Sequence, residues 1–499
     1  MLLAENGERD RAASINLPDM IAAETCYEAL RARDARFDGL FFVGVKSTGV
    51  YCRSVCTART PRPASCRFFE TAAAAEKAGF RPCLLCRPEL APAHIAPERS
   101  LAHAIGARLQ ATAVEAGSVE ELARRSGFST RHLRRLVRTA FGVTPVELAQ
   151  THRLLFAKKL LQETALPISE VALQAGFRSL RRFHALFAAR YGFPPCRLRH
   201  EAGAEVVGAL RLRLAYRPPL AWEQMLRYLA ARAIPDVEAV VGSHYLRTID
   251  LGARPAWLRV GHDPERRSLV VEFSPEAASN LYPALHRLRA VFDLDANPER
   301  IAEKLADDPL LRAAFAHTPG LRVAGAWDAF EIAVRTILGQ QISVAGASTI
   351  CGRLVARFGT AFSTPHPALT HIFPKPEILA EADLSSIASL GLPARRAETI
   401  REMARAVIAG ALDFLPGTSS EDAVARLKSL PGIGEWTAQY LAMRLLRSPD
   451  AVPAGDLGLR KAGGRGTPIS ESALLARAEA WRPWRAYAAV YLWHSLSLL

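Results

Sequence analysis

The chain has 499 residues, 49% of them apolar and 23% charged. It is too long for one core, and its composition is that of a folded rather than a disordered protein. Its 64 Lys and Arg against 49 Asp and Glu leave a formal charge of +15, which points to a polyanionic partner, either nucleic acid or an acidic membrane. The opening stretch MLLAENGERDRAASINLPDM is too acidic and too poor in apolar residues for a secretion signal. No uncharged apolar run approaches the roughly 20 residues of a membrane span, so a cytoplasmic protein without a membrane partner is expected.

Residues 1 to 95 hold six of the eight cysteines. Four stand as two tight pairs, Cys52/Cys56 in GVYCRSVCTAR (49–59) and Cys83/Cys86 in GFRPCLLCR (79–87). A disulfide framework, a metal site and reactive thiols all use such pairs. Without a secretion signal a reducing compartment is expected, and there close cysteine pairs more often bind metal. Spacings of three and two intervening residues fit a tetrahedral four-thiolate zinc site, whose commonest use is to staple a domain too small to build its own core.

From 96 to 200 the chain turns helical and arginine-rich. SVEELARRSGFSTRHLRRLVRTAFGVTP (118–145) is echoed by ISEVALQAGFRSLRRFHALFAARYGFPP (168–195). Each copy is a short amphipathic helix, a Gly-Phe turn and a longer helix ending at an aromatic-Gly-x-x-Pro stop, the helix-turn-helix signature. In the first copy Leu133, Leu136, Val137 and Ala140 form an inward stripe at helical spacing. That leaves Arg131, Arg134, Arg135 and Arg138 outward, with Arg181 and Arg182 placed similarly in the second copy. Such a face is usually merely solvated; on two helix-turn-helix copies it predicts DNA contact. The pair resembles the tandem module of AraC-type transcription regulators.

A short hinge, HEAGAE (200–205), precedes the strand-like stretches GALRLRLAY and RSLVVEF. From about 290 onward periodic apolar helices dominate, broken by Pro and Gly loops. KSLPGIGEWTAQYLAMR (428–444) has the Leu-Pro-Gly-Ile-Gly turn of a helix-hairpin-helix, in which Gly432 and Gly434 present backbone N–H groups to a DNA phosphate. Asp456 follows in the loop AVPAGDLGLRK (451–461).

These stretches carry two further resemblances. DGLFFVGVKSTGVYCRSVCTARTPRP with GFRPCLLCRPE resembles the zinc-binding domain of Ada-type adaptive-response proteins over residues 24–95. The resemblance implies that Cys52, Cys56, Cys83 and Cys86 bind one zinc ion. It also implies that Cys52 accepts a methyl group from DNA methylphosphotriesters, with Lys46, Thr48, Arg59 and Arg81 contacting DNA. Cys26, Cys66 and Cys351 fall outside the pattern. Cys196, in PPCRLR, lacks the histidine of the family's second, guanine-directed methyltransferase core, so it is read as structural and that activity is not expected.

YRPPLAWEQMLRYLAARAI (216–234), GAWDAFEIAVRTILGQQISVA (325–345) and WRPWRAYAAVYLWH (481–494) join the hairpin and Asp456 in resembling AlkA-type 3-methyladenine DNA glycosylases over about 207–499. Carried over, Asp456 is the catalytic carboxylate, and Trp436, Tyr440, Trp493 and Tyr228 line a pocket for a flipped, electron-poor base. Trp436 occupies the position of the Schiff-base lysine of bifunctional relatives, which implies base removal without strand cleavage. Gln341 stands where the family has a leucine wedge. The AGGRG stretch (462–466) is expected to loosen the helix after Asp456.

The expected fold is multidomain and mainly α. It comprises a small zinc-bound α+β domain (1–95), a tandem helix-turn-helix domain (96–200), a small α+β subdomain (206–290) and an all-α helix-hairpin-helix glycosylase domain (291–499). The resemblances imply double-stranded DNA, both alkylated and promoter sequence, and RNA polymerase as partners. They further imply a monomer associated with the bacterial nucleoid, and a monovalent cation at the hairpin loop when DNA is bound. The rival reading is a plain transcription regulator whose zinc and glycosylase parts only clamp DNA.

Overall fold

A computed structural model of the chain describes residues 21–93, 101–113, 119–125, 127–199, 210–252, 254–412 and 419–496. The N-terminal stretch, the hinge at 200–205 and the expected boundaries at 95/96, 200 and 206 lie outside these residues. Two compact units divide between Arg199 and His200, apart from two short segments.

In the first unit α1 (Ala23–Ala32) precedes β1 (Phe42–Val45), β2 (Val50–Arg53), β3 (Cys66–Phe69), α2 (Ala72–Lys77) and β4 (Arg81–Pro82). The strands form one sheet in the order β3-β1-β2-β4. Side chains alternate across a strand, so neighbours on β2 part company. Tyr51 packs with Phe42, Phe69, Phe80 and Leu155, whereas Cys52 joins Cys56 and Cys83. Parallel pairing of Tyr51 with Pro82 sets Cys83 beside Cys52.

Among the described residues six helices follow: α3 (Leu101–Ala111), α4 (Val119–Arg125), α5 (Thr130–Phe141), α6 (Pro145–Glu163), α7 (Ile168–Gln174) and α8 (Leu180–Tyr191). The sequence repeat is repeated in the backbone. Gly127 and Gly176 turn at φ +71° and +77°, a left-handed conformation that costs a side-chain-bearing residue about 1 kcal/mol or more. Ser129 and Ser179 then cap α5 and α8, their hydroxyls accepting from the backbone N–H of His132 and Arg182 at 3.2 and 3.3 Å. Leu133, Val137, Phe183 and Phe187 are wholly buried, each contributing about 1.5–3 kcal/mol. Leu136 and Ala140 are partly buried, while Arg131, Arg134, Arg135, Arg138, Arg181 and Arg182 are exposed, as the periodicity predicts.

The second unit opens with β5 (Leu210–Ala215), α9 (Trp222–Arg232), β6 (Glu238–Val241), β7 (His244–Asp250), β8 (Pro255–Asp263) and β9 (Ser268–Phe273). Its antiparallel sheet has the order β5-β9-β8-β7-β6. Helices α10 (Leu281–Val291), α11 (Pro298–Leu305), α12 (Arg312–His317), α13 (Ala329–Leu338) and α14 (Val344–Phe358) follow. After the short pair β10 (Thr360–Ala361) and β11 (His371–Ile372) come α15 (Pro376–Glu381), α16 (Leu384–Ala388), α17 (Ala394–Ile408), α18 (Ser420–Lys428) and α19 (Glu435–Arg444). The last helices are α20 (Leu457–Gly463), α21 (Glu471–Ala478) and α22 (Arg485–Ser495). Their apolar faces share one core that includes Trp481, Tyr487 and Tyr491. Among the described residues no helix is long and apolar enough to cross a membrane.

Candidate functional site

The first candidate centre is built by a strand, a turn and a tight loop. Cys52 leaves β2, Cys56 lies in the turn after it, and Cys83 and Cys86 follow β4; their sulfurs all lie within 4.8 Å of one another. Tetrahedral zinc, with Zn–S near 2.3 Å, holds its sulfurs about 3.8 Å apart, so four soft donors in this space fit that ion. Cys52, Cys56 and Cys83 are only 8%, 6% and 8% exposed. Hydrogen bonds from Cys52, Cys56 and Cys86 hold Cys83 well below the ordinary thiol range. Cys52 is pushed well above it, first by its hydrogen bond to Cys56 and then by that to Cys83. Crowding thus splits the four, and a coordinated dication ends that competition by deprotonating its thiol ligands outright.

The surroundings are fixed by buried charge. The backbone N–H of Arg53 donates to Cys86 Sγ at 3.3 Å, and its guanidinium pairs with Asp38. Lys158 of α6, wholly buried, donates to Glu89 Oε2 at 2.5 Å and to the Cys83 carbonyl at 3.3 Å. On the other face of β2, Tyr51 donates to Glu76 Oε1 at 3.1 Å, while Glu76 Oε2 accepts from Thr151 and Arg190, each at 2.6 Å. Burial raises the Glu76 carboxyl, with the Arg190 guanidinium opposing. Sequence reasoning missed Glu76, Thr151, Lys158 and Arg190. The one available signal was KK (158–159) inside an apolar helical run, since buried lysines need a partner.

Lys46 and Thr48 stand exposed on the β1–β2 hairpin beside the cysteines, and Arg59 is exposed after Cys56. Arg81, also exposed, donates to the Tyr191 carbonyl at 3.4 Å. Cys26 and Cys351 are buried, Cys66 is partly exposed on β3, and Cys196 is exposed in a short 3₁₀ turn. Among the described residues only Cys52, Cys56, Cys83 and Cys86 form a cluster suited to a metal ion.

The second centre lies in the helical unit. Asp456 caps α20, its Oδ1 accepting from the Leu459 backbone N–H and from Trp493 Nε1, both at 2.9 Å. The α20 helix ends at Gly463, inside AGGRG, after only seven residues. Trp436 and Tyr440 stack with centroids 5.4 Å apart and planes 10° from parallel, so each uses one face on the other. Tyr228 and Tyr440 hydroxyls lie 3.2 Å apart. Arg444 donates to both, and Arg232 sits 4.0 Å over the Tyr228 ring. Burial pushes the Tyr228 hydroxyl up, but Arg444 and Arg232 outweigh it and bring it down to about 8. Tyr228, Arg232, Trp327 and Arg444 also line a cavity of about 30 Å³. Asp456, Trp436 and Trp493 are not among the residues that line it.

Gly432 takes φ +74°, and a Cβ there would meet Thr399 Oγ1 at 2.4 Å, so only glycine fits this hairpin. Gly434 caps α19 with an extended backbone. Gln341 is exposed at φ +60° at the tip between α13 and α14. Its neighbour Gln340, unnoticed in the sequence, ties that tip to the hairpin by donating to the Gly432 carbonyl and Thr437 Oγ1, each at 3.1 Å.

Comparison with known proteins places both centres. Residues 25–89 match the family described as metal binding domain of Ada, and 122–201 match a helix-turn-helix domain. Residues 211–328 match the AlkA N-terminal domain, and 334–486 match the HhH-GPD superfamily of base excision DNA repair proteins. A probable bifunctional transcriptional activator/DNA repair enzyme AlkA of Mycobacterium tuberculosis is 40% identical over 95% of this chain and 96% of its own. DNA-3-methyladenine glycosylase 2 of Escherichia coli is 34% identical over 56% of this chain and 96% of its own. The bifunctional transcriptional activator/DNA repair enzyme AdaA of Bacillus subtilis is 30% identical over 38% of this chain and 88% of its own. Similarity running from the thiol cluster through the hairpin to Asp456 means that the chain belongs to the family of bifunctional AlkA/Ada-type transcriptional activator and DNA repair proteins.

Proposed function

We propose that the protein repairs alkylated DNA and regulates transcription in response to it, using two separate chemistries. The observation that carries this reading is the coexistence in one chain of four convergent thiols and of a helix-capping carboxylate bonded to Trp493, with Trp436 stacked on Tyr440.

At the first centre, zinc bound by the four sulfurs supplies thiolates at neutral pH. The Cys52 sulfur attacks the methyl carbon of a DNA methylphosphotriester. An S–C bond forms, the C–O bond breaks, and its electron pair stays on oxygen as an ordinary phosphodiester. Lys46, Thr48, Arg59 and Arg81 hold the flanking phosphates. The cysteine is consumed, so this step is stoichiometric. The arginines of α5 and α8 read promoter DNA, and methylation of Cys52 strengthens that binding.

At the second centre the hairpin N–H groups of Gly432 and Gly434 hold a phosphate; a monovalent cation, if bound at this loop, would add positive charge toward it. Gln341 fills the gap left by the flipped nucleotide, and Trp436, Tyr440, Trp493 and Tyr228 wall its pocket. The Asp456 carboxylate stabilises positive charge on the sugar as the N-glycosidic bond breaks; the cationic alkylated base departs neutral with the bonding pair, and water adds to C1′ and releases a proton to solvent. With Trp436 in place of an amine, no Schiff base forms. Such a chain divides functionally into 1–95, 96–200, 206–290 and 291–499, works as a monomer in the cytoplasm and engages RNA polymerase at promoters.

The test incubates the whole protein with methylated duplex DNA and scores released bases and S-methylcysteine together. Asp456→Asn should abolish release of 3-methyladenine while keeping DNA binding, and Cys52→Ser should abolish methyl capture alone. Neither product from the wild type would leave only the reading in which both centres merely clamp DNA.

A further inference from the structure

Asp456 has two carboxylate oxygens, and one of them takes both recorded hydrogen bonds. The Leu459 N–H reaches Oδ1 at 2.9 Å along α20, as any capping aspartate allows. Trp493 Nε1 reaches the same atom at 2.9 Å from α22, 37 residues further along the chain. A carboxylate torsion is broad and two-fold, so a cap bond alone lets the two oxygens exchange places. A second donor arriving from another helix fixes which oxygen caps and how the plane is turned.

Gly458 supplies an independent observation. A Cβ built on it would lie 3.0 Å from Asp456 Oδ1 and 3.4 and 3.5 Å from Cδ1 and Nε1 of Trp493. Its φ is not positive, so no left-handed turn requires glycine there. In a helix, glycine is disfavoured relative to alanine by backbone entropy. What its missing side chain provides is room for the indole edge to lie against the carboxylate.

We infer that Trp493 is a positioning residue for Asp456: its indole N–H and the Leu459 amide lock Oδ1, so that Oδ2 is presented to the sugar at a fixed angle, and Gly458 is the space that permits it. This role belongs to the N–H edge of Trp493 and is separate from any stacking of a base on its face. It rests on the reading of Asp456 as the catalytic carboxylate.

Two variants test it in the full-length protein, with 3-methyladenine release from duplex DNA measured for kcat and KM. Trp493→Phe keeps an aromatic face and loses the donor. A carboxylate misplaced by a fraction of an ångström to an ångström costs up to about 100-fold in rate, so kcat should fall about 10- to 100-fold with KM unchanged. Gly458→Ala should lower kcat in the same way with KM unchanged while the protein still folds, since disturbing the Asp456 cap costs only a small part of a domain's stability. A loss of kcat at a temperature where the variant is fully folded separates positioning from a merely structural role, and it holds should Trp493→Phe fail to fold. A wild-type kcat with raised KM in Trp493→Phe, or a wild-type kcat in Gly458→Ala, overturns the inference. Undiminished release by Asp456→Asn instead overturns the proposed glycosylase mechanism, so the two failures are distinguishable.

Discussion

The Tyr51 hydroxyl donates to Glu76 Oε1 at 3.1 Å, and through that one carboxylate the strand carrying Cys52 is tied to α6 and α8. Thr151 and Arg190 supply the other two bonds at 2.6 Å each. Removing one member of a buried ionic network leaves the rest without partners and costs about 3–5 kcal/mol. The Arg190 side chain is 25% exposed, which places the expected loss at the lower end. Glu76→Ala should therefore lower the stability of the first unit by about 3 kcal/mol, and Glu76→Gln, which keeps an acceptor, by less. Urea unfolding of the full chain, followed by probes in each unit, checks this. An unmoved first-unit transition in Glu76→Ala would show the network to be energetically idle.

Chelation of zinc should unfold residues 21–93, because structural zinc contributes about 10–16 kcal/mol to the folding of small domains. The same ties, Glu76 to α6 and α8 and Lys158 to the Cys83 carbonyl, imply that the helix-turn-helix pair also loses support and that operator binding weakens. Base release should persist, since the thiol cluster is the single metal-suited group among the described residues and lies in the first unit. Loss of base release on chelation would contradict independent centres.

What the sequence disclosed and what it concealed divide by distance along the chain. Ligand spacing, capping serines and turn glycines act over a few residues, so the thiol pairs, the duplicated helix-turn-helix and the hairpin were all legible. Glu76 was not, because its partners Thr151 and Arg190 lie 75 and 114 residues away. Arg444 lies 216 residues from Tyr228, and nothing local shows that it binds both tyrosines. Trp493 was legible as a ring; that its N–H meets Asp456 required the packing of α22 on α20.

The Tyr228 hydroxyl gives a pH signature. Its folded pKa of about 8 lies below the unfolded value near 10. The ionised form is therefore favoured by folding: its stabilisation is fully present above pH 10 and is lost as pH falls through 8. Two pH units correspond to at most about 2.7 kcal/mol. Tyr228 is only partly buried and hydrogen-bonds Tyr440, whose own hydroxyl is raised by burial, so on the order of 1 kcal/mol is expected. Stability of the second unit measured between pH 8 and 10 should rise more for wild type than for Tyr228→Phe. Parallel profiles would show that Arg444 and Arg232 do not favour the phenolate.

Methylation of Cys52 should act as an electrostatic switch on DNA binding by the first unit. Four thiolates around Zn²⁺ carry a net charge of about −2, and conversion of one to a thioether leaves about −1. The buried carboxylates alongside, Asp38 and Glu89, are already paired with Arg53 and Lys158, so the change is expressed by the cluster itself. Cys52 shares its hairpin with exposed Lys46 and Thr48, which brings the altered charge close to a bound phosphate. One unit charge at close range and a surface-like dielectric is worth on the order of 1 to 4 kcal/mol, roughly five-fold to nearly a thousand-fold in affinity. Because the effect is relief of repulsion, the gain should shrink as salt shortens the Debye length from about 30 Å at 0.01 M to about 8 Å at 0.15 M. The measurement compares operator affinity before and after exposure to a methyl donor, for wild type and Cys52→Ser, across that salt range. A gain confined to the wild type and diminishing with salt is expected, whereas equal affinity of methylated and unmethylated wild type would reduce the cysteine chemistry to repair alone.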